Sequence, residues 1–114
     1  MLHTTTTPKR LANIPDKPDR LYIKGAYKEH LPAIAIVGSR NCTTEGEQTA
    51  KQLAYMLAQE GITIISGLAR GIDKAAHKGA LEAGGITYAV LPSGINNIYP
   101  NSHRALANMI LESG

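Results

Sequence analysis

Ile62-Thr63-Ile64-Ile65-Ser66-Gly67-Leu68-Ala69-Arg70-Gly71-Ile72-Asp73 contains a strand, a glycine turn and the entry of a helix in direct succession. Residues 62–65 form an apolar and β-branched run, short enough for a strand buried on both faces. Gly67 interrupts it. From Gly71 onward Ile72, Ala76, Ala80 and Ala83 recur at helical spacing, predicting a helix over 71–83 that Gly84-Gly85 closes. A strand that passes into a helix across so short a turn is a βα unit.

The unit recurs on both sides. Upstream, Ala33-Ile34-Ala35-Ile36-Val37 is an unbroken apolar run stopped by Gly38. A helix is expected over 46–60, with Ala50, Leu53, Ala54, Leu57 and Ala58 inward and Gly61 as its C′ cap. Downstream, Ile86–Leu91 reads as the third strand. Pro92-Ser93-Gly94 follows it, and a last helix is expected over 102–111 with Leu106, Met109 and Ile110 on one side. Crossovers this short demand parallel pairing with right-handed connections. Leu21-Tyr22-Ile23-Lys24-Gly25 fits an edge strand, and residues 1–20, with three of the six prolines, read as an irregular or extended arm. Two segments are therefore expected: an arm over 1–20 and an α/β unit over 21–114. Three βα units make half of a doubly wound sheet. One sheet edge is then expected to need a partner or a cover, and the chain reads as part of a longer protein.

With 114 residues, 43% apolar and 18% charged, the composition is that of one soluble globular domain. No apolar run approaches the roughly 20 residues of a membrane span. The threonine-rich Met1–Pro8 segment lacks the apolar stretch of a signal peptide, so a cytoplasmic location and no membrane association are expected. The lone Cys42 excludes an internal disulfide and, without a nearby His or Lys in sequence, reads as an inert loop thiol. A net charge of +3 leans toward a polyanionic partner. The placement of the arginines carries more information than their sum.

In a parallel α/β sheet the turns that leave the strands share one edge, where ligands bind. Gly38-Ser39-Arg40 offers a glycine, a hydroxyl and a bidentate guanidinium. It reads either as an anion site or as a strand-ending glycine followed by a solvated arginine. Ser66-Gly67-Leu68-Ala69-Arg70-Gly71 adds the N-terminus of a helix, whose bare amides and dipole attract anions, and Arg70 reinforces them. Asp73 is expected to cap its own helix. His77, one turn on, is expected on that carboxylate or at the surface. A catalytic Asp–His pair there lacks a nucleophile. Gly94 belongs to the third turn, where Tyr99 either stacks on a base or anchors the loop. The first turn lacks G-x-G-x-x-G, and Ser66 stands where an acidic residue would hold a ribose, so no dinucleotide cofactor is expected. Phosphate-loop and metal-ligand spacings are missing too, so neither metal nor catalysis is expected. With no Trp or Phe, an extended aromatic platform is excluded.

Ala35–Arg40, Ile65–Asp73 with Ala76-His77, Gly79–Gly85, Ala89-Val90-Leu91 and Tyr99-Pro100 resemble the DprA/Smf family of DNA-processing proteins. Ile14-Pro15-Asp16 and Leu21–Gly25 are similar to its entry segment. The likeness spans roughly residues 14–114. It implies an α/β fold with a Rossmann-like three-layer parallel sheet, here incomplete, that binds single-stranded DNA without catalysis. In the family this protects DNA during natural transformation and helps load the RecA recombinase; a homodimer is a further implied partner. By position, Gly38, Ser39, Arg40, Ser66, Gly67, Leu68, Ala69, Arg70, Gly71 and Gly94 would line the DNA pocket. Pro92-Ser93-Gly94 departs from the family's Gly-Cys/Ser-Gly type.

Two other readings are set beside this one. A phosphoribohydrolase-like nucleotide enzyme shares the sheet, but its Pro-Gly-Gly-x-Gly-Thr string and following glutamate are absent at Pro92–Asn96. A fragment that keeps the fold without independent function is compatible with retained binding residues.

Overall fold

The computed structural model describes residues 2–6, 20–24, 31–91 and 104–113. Its parallel sheet contains β3 (Ala33–Ala35), β4 (Thr63–Ser66) and β5 (Thr87–Ala89), in that spatial order. Helix α1 (Thr44–Gln59) connects the first pair, α2 (Ile72–Glu82) connects the second, and α3 (Arg104–Ser113) follows. The register pairs Ile34 with Ile64 and Ile64 with Thr87. This is the open α/β, Rossmann-like arrangement expected from the three βα units. β3 is shorter than its apolar run, although the Ile36 amide still donates to the Ile65 carbonyl at 3.0 Å.

Sequential strand order combined with right-handed crossovers puts consecutive helices on one face. The core agrees: Ala54 and Ala58 of α1, Ala76 and Ala80 of α2, and Ile36 and Ile64 of the sheet form one buried cluster. A second cluster joins Leu106 and Ile110 of α3 to Leu68, with Leu81 and Ala89 packed against it. The described residues therefore make two layers, helices on sheet; the third layer of the expected arrangement is not formed among them. Val37 and Val90, where β3 and β5 end, are 69% and 66% exposed.

The helix ends follow from local chemistry. Thr43 Oγ1 accepts the Gly46 amide at 3.0 Å, and Glu45 and Glu47 lie in the first turn, so α1 starts earlier than its apolar periodicity predicts. At the other end Gly61, at φ +81°, donates to Ala58 O, and Ile62 donates to Leu57 O, which is a Schellman closure. Gly84 and Gly85 close α2 in the same way.

Part of the arm is extended. Leu2–Thr6 is a strand, β1, paired antiparallel with β2 (Arg20–Lys24), Leu2 opposite Lys24. β2 is thus an edge strand, but of a separate two-stranded ribbon rather than of the parallel sheet. The ribbon spans the expected boundary between residues 20 and 21.

Candidate nucleic-acid interface

The turns after β3 and β4 are fastened to each other. Ser66 Oγ donates to Ile36 O at 2.6 Å, tying the ends of the two strands inside the protein. The Ile72 amide donates to Ser39 O at 3.3 Å, tying the start of α2 to the first turn. Gly71 lies so close to Ser39 and Arg40 that a Cβ would collide with Ser39 O and stand 2.8 Å from Arg40 O. A Cβ on Gly38 would come within 2.8 Å of the Ile72 side chain. The Val90 amide donates to Ser66 O at 2.9 Å and brings the end of β5 alongside.

This packing puts Ser39, Arg40 and Arg70 on neighbouring segments, all three exposed. Ser39 Oγ accepts the Asn41 amide at 3.1 Å, which shapes the turn and leaves the hydroxyl proton to donate. Among the described residues neither guanidinium is paired with a carboxylate. The Lys51–Glu82 ion pair, at 2.9 Å, joins α1 and α2 instead. A shallow groove lined by Lys51, Gln52, Tyr55, Met56 and Glu82 shares no residue with the two turns.

Other members of the expected set face inward. Ser66 is 2% exposed, with its hydroxyl committed to β3, and Leu68 is 1% exposed, with its side chain in the second core cluster. Gly71 is buried too. Gly67 and Ala69 are half-buried, and Gly94 and Tyr99 lie outside the described residues.

Asp73 and His77 depart from their expected roles. Asp73 does not cap its own helix. Its Oδ2 accepts the Gly67 amide at 3.1 Å and the Ala69 amide at a longer 3.4 Å. Two amides of this turn are thereby engaged from within the chain. His77 is fully buried, and its Nδ1 is 2.7 Å from Thr87 Oγ1. Because Thr87 gives its single hydroxyl proton to Ile64 O at 2.8 Å, the proton of the contact is assigned to Nδ1. Asp73 Oδ2 accepts from two amides, and His77 Nδ1 contacts a threonine. One signal was present in the sequence: the two residues are four apart on the alanine face of α2, where a polar pair is buried and must find internal partners. Among the described residues no group of three or more His, Cys, Asp or Glu could hold a metal ion, and no helix is long and apolar enough to cross a membrane.

An open parallel sheet of βα units, with glycine turns at the carboxyl ends of its strands, is a Rossmann-like domain. A family model described as DNA recombination-mediator protein A matches residues 1–114, and the chain belongs to this family, that of the DprA and Smf proteins. It is 43% identical over 108 residues to Protein Smf of Escherichia coli (strain K12), covering 94% of this chain and 29% of that protein. It is 39% identical over 104 residues to DNA processing protein DprA of Streptococcus pneumoniae, covering 90% of this chain and 36% of that one. The X-ray structure of DprA from Streptococcus pneumoniae superposes with a TM-score of 0.86 at 34% identity, over 96% of this chain and 40% of that chain. A structure of DNA processing protein A from Helicobacter pylori, described for its single-stranded DNA binding mode, gives 0.86 at 31% identity, over 96% and 51%. The chain thus spans about a third of the length of these curated relatives.

Proposed function

We propose that this chain binds single-stranded DNA through its phosphates, along the rim formed by Gly38-Ser39-Arg40 and the Gly67–Gly71 turn, as a step in DNA processing. The observation that carries the reading is the fastening of the two turns through Gly71 and the Ile72 amide, with the exposed Arg40 and Arg70 both next to that contact along the chain. Two guanidiniums held on adjoining rigid turns match successive phosphates better than two flexible surface cations. The single-stranded DNA binding of the Helicobacter pylori relative supports the same choice of ligand. A strand held by its backbone keeps its bases free, so recognition is tolerant of sequence and leaves the bases available to a recombinase. Loading of RecA and homodimerisation follow this step in the proposal and use other surfaces.

The test is fluorescence anisotropy of a labelled thymidine oligomer across a salt series. Each phosphate contact contributes about −0.7 to the slope of log affinity against log salt for single strands. Arg40→Ala is expected to weaken binding equally on every sequence and to flatten the slope by about 0.7. Superimposable curves for the variant and the unmodified chain would remove Arg40 from the interface.

A further inference from the structure

The turn after β4 is built as an anion receptor, and the chain's own helix fills it. Leu68 is at φ +64°, the left-handed region that a branched side chain seldom adopts. A left-handed residue in a turn aims the N–H groups on either side at one point, the geometry of a backbone anion nest. Here that point is Asp73 Oδ2, reached by the Gly67 and Ala69 amides. Asp73 is 7% exposed and stands in the first turn of α2, where the helix dipole also favours negative charge. Its Oδ1 makes no hydrogen bond among the described residues, so the bonds that orient the carboxylate go to this turn. The fit is close: a Cβ on Gly67 would stand 2.7 Å from Oδ2.

Two consequences follow for an incoming phosphate. The Gly67 and Ala69 amides are already engaged, and a second anion at the same point would face a buried carboxylate. The backbone that leads into Arg70 is held by that carboxylate from one side and by the buried Leu68 side chain from the other. We propose that Asp73 is a positioning residue for DNA recognition: a tethered anion that closes the Gly67–Ala69 nest, fixes the backbone from which Arg70 projects, and leaves phosphate recognition to the guanidiniums of Arg40 and Arg70. The inference rests on the reading of the two turns as a DNA-binding rim.

The test is a double-mutant cycle on the full chain, read by anisotropy of the same thymidine oligomer over a salt series. Arg70→Ala is expected to bind about tenfold more weakly, with the salt slope flattened by about 0.7. Asp73→Ala is expected to reproduce both changes, because it acts through Arg70. The double variant should then be no weaker than either single one beyond about twofold, the usual error of additivity. Asp73→Asn keeps an acceptor oxygen for both amides and drops the charge, so it should bind at least as tightly as the unmodified chain. Amide exchange supplies a readout independent of DNA: in Asp73→Ala the Gly67 and Ala69 amides should exchange about tenfold faster or more, with β4 still protected. Where the alanine variant does not fold, Asp73→Glu replaces it; the charge is kept, the reach is wrong, and the same loss is expected. Additive losses in the double variant, or undiminished affinity in Asp73→Ala, would overturn the positioning role and leave the rim standing. Undiminished affinity in Arg70→Ala would overturn the rim, and the inference with it.

Discussion

Gly71 decides whether the two turns can meet. Its φ of 76° and ψ of −124° fall where side-chain-bearing residues are strongly disfavoured, and its missing Cβ leaves room for Ser39 O and Arg40 O. Gly71→Ala is therefore expected to destabilise the protein by about 2–4 kcal/mol, from backbone strain together with a steric clash. Urea denaturation followed by circular dichroism measures this, and an unchanged midpoint would mean that the turns are not packed as described. In the sequence, Gly71 was readable as the entry to a helix. Its contact with residues 39 and 40 was not, because spacing along a chain gives no distance between separate turns. Asp73 illustrates the same limit: its type and position suggested a cap, whereas its partners lie four and six residues upstream on the far side of a left-handed turn. Ser66 was expected only among the pocket-lining residues, and its hydroxyl straps the two strands together internally.

At the scale of elements, α1 and α2 approach through small side chains: Ala50, Ala54 and Ala58 on one helix, and Ala76, Gly79 and Ala80 on the other. A Cβ on Gly79 would collide with the Lys51 carbonyl oxygen. Gly79→Ala gains helix propensity, about 1 kcal/mol in an exposed helix, but here the added methyl pushes the helices apart at an overpacking cost of about 1–3 kcal/mol. The expected outcome is a lower melting temperature, while the exposed Lys78→Ala changes it little. A rise in melting temperature for Gly79→Ala would contradict the close crossing. The period of 3.6 placed both helices and their alanine stripes correctly. It did not place Leu53, expected inward and 46% exposed, because the narrow crossing accepts alanine and leaves larger side chains at its margin. Met109 of α3, 52% exposed, departs in the same direction. β2 was recognisable as a strand, but an isolated apolar run does not name its hydrogen-bond partner, and the pairing with Leu2–Thr6 had no signal in its pattern.

Across the described residues of the whole molecule, strand order puts α1 and α2 on one side of the sheet, and Val37 and Val90 stay exposed where β3 and β5 end. Parallel sheets are usually covered on both faces, whereas the helices among the described residues pack on one. The α/β class was legible because βα alternation repeats three times; the one-sided arrangement needed the strand order, which the sequence does not state. The same topology gathers the strand exits at one edge, and the central claim is that the first two of them act as a single DNA-facing rim. The most direct test is an NMR titration of the ¹⁵N-labelled chain with a thymidine oligomer. The amides of Ser39, Arg40, Arg70 and Gly71 are expected to shift together along one binding curve, with little change at Tyr55 and Met56 on the outer face of α1. Shifts confined to one of the two turns, or centred on the α1 face, would contradict that claim.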